Sequence, residues 1–265
     1  MRKIHLAFVG ILLSLLLTQP AFAQKKNSKQ STQLKTMTWT SKSEAAKTLA
    51  SEGADYFMNI EFPQAYEKFK QALELDPDFT VALVFMANLT EGEVKKDYSK
   101  RAVASTANKT EGEKLFASLL KEGATADINR GVWAKLHEMF PDGGMIGNFY
   151  VVTRVTPEER FTAAQDYITK FPDNACMYNT IAYYYMLDKK DMAKAKECFE
   201  KYIALYPKGY NPYDSMGEYY MTVGDSENSK KYYTMAVERY PFSNSSVNAL
   251  QKMNDDAKKQ VANKQ

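Results

Sequence analysis

From Ser41 onward, apolar residues recur with a helical rather than a strand period. Phe161, Ala164, Ile168 and Phe171 fall three or four positions apart, the spacing that puts side chains on one face of a helix. Thr156-Pro157-Glu158-Glu159 opens that run with a hydroxyl cap, a proline at the first helical position and a glutamate three residues after the cap. Ser41-Lys42-Ser43-Glu44 has the same capping spacing and predicts a helix beginning near Ser41. Asp142 to Val155 departs from the pattern. Gly143, Gly144 and Gly147 are followed by Phe149-Tyr150-Val151-Val152-Thr153, which is poor helix material. A short helix is expected there because its neighbours impose one, with a loop or a kink as the alternative.

The apolar pattern repeats. Gly53, Tyr56, Ala65, Phe69, Ala72 and Pro77 are matched in type or size by Gly217, Tyr220, Ser229, Tyr233, Ala236 and Pro241, all at the single offset 217 − 53 = 164. A third copy, Ala182, Tyr185, Ala195, Phe199, Tyr202 and Pro207, lies between them. It is one residue longer, and the extra residue is expected in the inter-helix loop around Lys189 to Asp191. Small residues belong where two antiparallel helices approach closely, and large ones fill the gap between them. The proline follows the second helix, where it no longer interrupts a hydrogen-bond ladder. Pro77, Pro141, Pro172, Pro207 and Pro241 are spaced by 64, 31, 35 and 34 residues. The first gap therefore holds two units, with an unmarked junction near Asn108 to Thr110. The count is six helix pairs and a final capping helix over roughly Ser245 to Val261.

This order of small, large, small, large, small and proline resembles the tetratricopeptide repeat. The resemblance is strongest over residues 46–79 and 210–243, good over 175–209 and weak between. It implies an all-α fold, a right-handed α-solenoid of antiparallel helix pairs over residues 41–261. It also implies a concave face lined by the first helix of each pair. Counted from the third residue after each proline, the fifth and ninth positions point inward. They are Val84 and Asn88, Asn179 and Tyr183, and Asp214 and Glu218. Cytoplasmic members that clamp a C-terminal carboxylate carry Lys, Arg and Asn there, so this set argues against that ligand. The expected partner-binding residues are Asn88, Asn179, Tyr183, Asp214 and Glu218. They suit an amide-rich or basic peptide, with a glycan stacked on tyrosines as the alternative.

The N-terminus changes the picture in another way. Arg2 and Lys3 precede a mostly apolar run from Ile4 to Leu17, and Ala21-Phe22-Ala23 stands just before Gln24. That is the grammar of a secretory signal peptide, residues 1–23, cleaved after Ala23. The only cysteines, Cys176 and Cys198, are far from that point, so no lipid anchor is expected and the protein should be periplasmic or secreted, with no stable membrane insertion after cleavage. Residues 24–40, rich in Lys, Gln, Ser and Thr, read as a flexible linker. Of 35 basic residues, two leave with the signal peptide, and the remaining 33 face 32 acidic ones. A near-neutral chain gives no support for nucleic-acid binding. Two cysteines are too few for a disulfide scaffold. In the third copy their helical positions differ by about six residues of rise, roughly 9 Å, which predicts two free thiols.

Catalytic signatures are missing from the sequence. His137, the one histidine beyond residue 23, lacks the second histidine of a zinc-protease helix. It is expected at the surface or at a helix junction. Ser215 in Asp214-Ser215-Met216-Gly217 is not in a nucleophile elbow, and no phosphate-binding glycine loop occurs. No metal or cofactor is expected. The reading that follows is an exported, non-catalytic interaction scaffold for a protein or peptide partner in the cell envelope. A soluble capture protein for a small ligand or glycan is the alternative, and an enzyme without a legible motif is the third.

Overall fold

The computed structural model describes residues 34–262. The expected signal peptide and residues 24–33 lie outside the described residues. The chain forms an all-helical stack of six antiparallel pairs and a terminal helix: α1 (Glu44–Met58) with α2 (Phe62–Leu75), α3 (Thr80–Leu89) with α4 (Gly92–Ala104), α5 (Glu111–Ser118) with α6 (Ala126–Met139), α7 (Gly144–Val152) with α8 (Pro157–Lys170), α9 (Ala175–Tyr183) with α10 (Met192–Leu205), α11 (Asn211–Thr222) with α12 (Ser226–Arg239), then α13 (Asn244–Ala262). The described residues contain no strand.

The local signals act as physical chemistry requires. Thr156 and Thr110 each accept from the third helical N–H, and Glu159 and Glu113 return the bond to the cap's own N–H, completing capping boxes for α8 and α5. The difficult stretch after Asp142 is helical as α7, with Met145, Ile146 and Val151 buried. Tertiary burial outweighs the low propensity of its glycines and β-branched residues. At the start of α1 the cap is Ser43, which accepts from Ala46 N–H. Ser41, the expected cap, instead donates to Asp76 Oδ2 at 2.7 Å. The repeat register is visible in the packing. A Cβ on Gly53 would meet the Phe69 ring at 3.0 Å, and one on Gly217 would meet Tyr233 at 2.8 Å. Ala72 and Ala236 are fully buried.

The extra residue of the third copy is not in the loop. It widens the end of α9 into a π-helical turn, Tyr184–Lys189, closed by Lys190 in the left-handed region at φ 55°. The π-helix occurs mostly as a single turn of this kind within an α-helix.

Residues 34–41 are also not a free linker. They run extended along the turns that precede successive first helices. Lys35 N–H donates to Asp142 Oδ2 at 2.7 Å, and Asp142 N–H returns a bond to Lys35 O at 3.2 Å. The Thr40 N–H and hydroxyl both donate to Glu113 at 2.8 Å, and Lys109 Nζ donates to Thr40 O. Met37 is 8% exposed and Trp39 packs on Phe79 with ring centroids 6.3 Å apart. The polar composition concealed this strap because its bonds go to acidic side chains at three turns, not to an apolar face of its own.

Candidate functional site

The inner surface expected to be a continuous groove is closed over the first four units. Every residue from Thr80 to Ala87 in α3 is buried. Phe57 of α1 meets Phe85 of α3 at 5.0 Å and Phe149 of α7 at 5.7 Å. Phe85 reaches Phe116, and Trp133 stacks on Phe149 at 4.4 Å. These rings join the first helices of units one to four into one apolar core. Val84 is accordingly a core residue rather than a groove residue.

Two further contacts join the first pair to the fifth and sixth. Glu61, at the turn between α1 and α2, is 2% exposed. Its carboxylate accepts from Tyr206 Oη at 2.8 Å and from Tyr210 N–H at 2.7 Å. Tyr202 Oη donates to Asn59 Oδ1 at 3.0 Å and accepts from Asn211 Nδ2 at 3.1 Å. Burial pushes the Glu61 carboxyl above its ordinary value against the pull of its donors, of which Tyr206 counts most. Sequence reasoning missed this clasp, although a signal was present. Tyr202 stands where the other two copies carry Ala72 and Ala236, and a large polar residue at a small position marks an unusual neighbour. Beside the clasp lies a cleft of about 760 Å³ whose walls include Asp55, Tyr56, Gln64 and Lys208. Burial, then the charge of Glu52, raises the Asp55 carboxyl.

The five expected partner-binding residues fall into three places. Asn88 is exposed at the mouth of a separate cleft of about 400 Å³ beside Phe116, Trp133 and Phe149, and its Nδ2 donates to Val84 O at 2.8 Å. Tyr183 and Glu218 meet across α9 and α11, with Tyr183 Oη donating to Glu218 Oε2 at 2.7 Å. Burial, then the Glu218 charge, pushes the Tyr183 phenol up. Asn179 is 6% exposed, and among the described residues its Oδ1 has no hydrogen-bond partner. Asp214 Oδ1 accepts from the Ser245 hydroxyl at 2.8 Å and from the Ser246 hydroxyl, which ties the first turn of α13 to α11. The two acids on which the groove reading leaned are thus already hydrogen-bonded within the chain. Cys176 and Cys198 are free thiols, and among the described residues no group of three or more metal-ligating side chains converges.

The Tetratricopeptide repeat family model matches residues 177–208 and 210–242. These are α9 with α10 and α11 with α12, the units that carry the clearest register. The chain carries two tetratricopeptide repeats there. Its fold is similar to that in the crystal structure of the APC/C hetero-tetramer Cut9-Hcn1, at 14% identity and a TM-score of 0.49, covering 78% of this chain and 42% of that one. This chain therefore spans less than half of that relative's length. It is also similar to PilW, a type IV pilus biogenesis factor, at 12% identity and a TM-score of 0.46, covering 79% of this chain and 98% of that one. Pseudomonas aeruginosa pilF follows at 13% identity and a TM-score of 0.43, covering 80% and 98%. No curated protein matches in sequence. Among the described residues no helix is long and apolar enough to cross a membrane.

Proposed function

We propose that this protein is an exported, non-catalytic interaction scaffold that holds a protein or peptide partner in the cell envelope, using the α9 and α11 face of units five and six. The observation that carries the reading is the side-chain chemistry of that face within two matched tetratricopeptide units. The Asn179 acceptor is unfilled and the Tyr183–Glu218 pair stands beside it. A partner amide or ammonium group supplies the donor that Asn179 lacks, and buried polar atoms are rarely left without one. Export rests on the basic, apolar and small-residue order of residues 1–23.

Capture from an envelope extract tests the binding face. Tyr183→Phe combined with Glu218→Gln should lose the partner while the protein stays folded. Lys231→Ala on α12 should retain it. Equal recovery by all three proteins overturns the assignment, and a bound small molecule or glycan in place of a protein favours a capture role. Intact mass of the native protein tests export: the expected chain starts at Gln24 and carries no lipid, and a retained Met1 in the envelope fraction refutes it.

A further inference from the structure

The outer side of the stack carries a second candidate site. The second helices of units three and four, α6 and α8, flank a cleft of about 600 Å³ floored by the end of α7, within the roughly 300–1,000 Å³ range of small-ligand pockets. On its floor the His137 ring stacks on Tyr150 with centroids 4.2 Å apart and planes 17° apart. The Arg154 guanidinium carbon is also 4.2 Å from the Tyr150 centroid. Two groups that close cannot share one face of a ring, so Tyr150 is held between an imidazole and a guanidinium.

Five buried polar side-chain atoms have no partner in the described residues, and two of them, His137 Nδ1 and Arg154 Nη2, belong to this cleft. Arg154 Nε donates to Tyr150 O at 3.0 Å and caps the end of α7, which leaves Nη2 without an acceptor. The neighbouring acids are engaged elsewhere. Glu158 accepts from Tyr184 and pairs with Lys189 at 3.3 Å, Glu159 accepts from Thr156 N–H, and Asp142 holds Lys170. Asp166 also stands in the lining. A guanidinium with an unfilled donor, in a cleft of small-molecule size, calls for an external acceptor, since an unmet buried polar group costs about 1–3 kcal/mol.

We propose that this outer cleft binds a small oxyanion-bearing ligand, a carboxylate or a phosphate ester, with Arg154 as the charged anchor and His137 as the second hydrogen-bonding group. The site is separate from the α9 and α11 face and stands whether or not that face binds a partner. Burial, then the charges of Lys170 and Arg154, holds the His137 imidazole below its ordinary value. An anion that offsets those charges must raise it.

His137 is the one histidine beyond residue 23, so in the processed chain a single set of imidazole NMR signals followed through a pH titration reads the site directly, with His137→Gln giving the assignment. The probes are sodium phosphate and sodium succinate against sodium chloride at matched ionic strength. The expected result is a saturable rise of the His137 midpoint by about half a pH unit, absent in sodium chloride, and loss of the effect in Arg154→Gln. Response to phosphate alone identifies a phosphate ester, and response to succinate alone a carboxylate. Unsaturated drift of the His137 midpoint no larger than in sodium chloride overturns the proposal, as does an undiminished response in Arg154→Gln.

Discussion

Ala236 is fully buried on α12, five residues before the proline that closes its unit, and Ala72 holds the equivalent place on α2. A leucine there adds three carbons to a gap with no room, so Ala236→Leu or Ala72→Leu should cost about 1–3 kcal/mol by forcing neighbours off their rotamers. Thermal melts that show no loss for either change refute the register. The thiols are governed by burial in the same way. Cys176 is pushed up to about 12 and Cys198 to about 11, in both cases chiefly by desolvation. The thiolate is the reactive form, so both should resist alkylation in the native protein near neutral pH and react once it is unfolded. Reductant should leave the intact mass unchanged.

At the level of elements, the strap of residues 34–41 behaves as a structural member. Asp76, Glu113 and Asp142 each accept a bond from it, and its own Met37 is buried. Removing residues up to 41 leaves the buried Glu113 without the two Thr40 donors. The truncated protein should melt measurably lower than one shortened only to residue 33, by about 1–3 kcal/mol of lost stability. Equal melting of the two would return the segment to the role of a linker. The pairs were legible because they are written in local periodicity: capping residues, closing prolines and small-to-large alternation all act within one turn or one hairpin. The strap was not, since its partners lie 73 residues away at Glu113 and 107 at Asp142. The longer third copy was legible as a one-residue surplus. Its location was not, because only tertiary packing decides whether α9 or the following loop takes up the slack.

For the whole molecule, the clasp decides more than any single pair. Stacked repeats ordinarily touch only their neighbours, whereas Glu61 and Asn59 reach residues about 145 positions on. Glu61→Ala strands the Tyr206 hydroxyl and the Tyr210 N–H and should cost about 1–3 kcal/mol. Acidity should act with a definite sign. Because the folded carboxyl lies above its ordinary value of 4.5, its contribution is fully present below that value and is lost as pH rises through the folded midpoint. Melts of wild type and Glu61→Gln between neutral and acidic pH should therefore diverge in favour of the wild type on acidification. A gap that stays constant, or moves the other way, means that the carboxylate is the preferred form in the clasp. The candidate binding face was half legible: the positions of Asn179, Tyr183 and Glu218 follow from the register, but the engagement of Asp214 by α13 and the closure of the inner surface do not, because both depend on how far the stack curves.

That curvature has a consequence for the way such a chain can vary. An open array tolerates a unit gained or lost, because each end is free to move. Here the turn at Asn59 to Glu61 meets Tyr202 to Asn211 only when the intervening units bring them round to the same place. Insertion or deletion of one unit between α3 and α9 would carry the two partners past each other and leave a carboxylate and two tyrosine hydroxyls facing nothing. The number of units in that span is fixed by closure, as the number of links is fixed in a bracelet that must fasten.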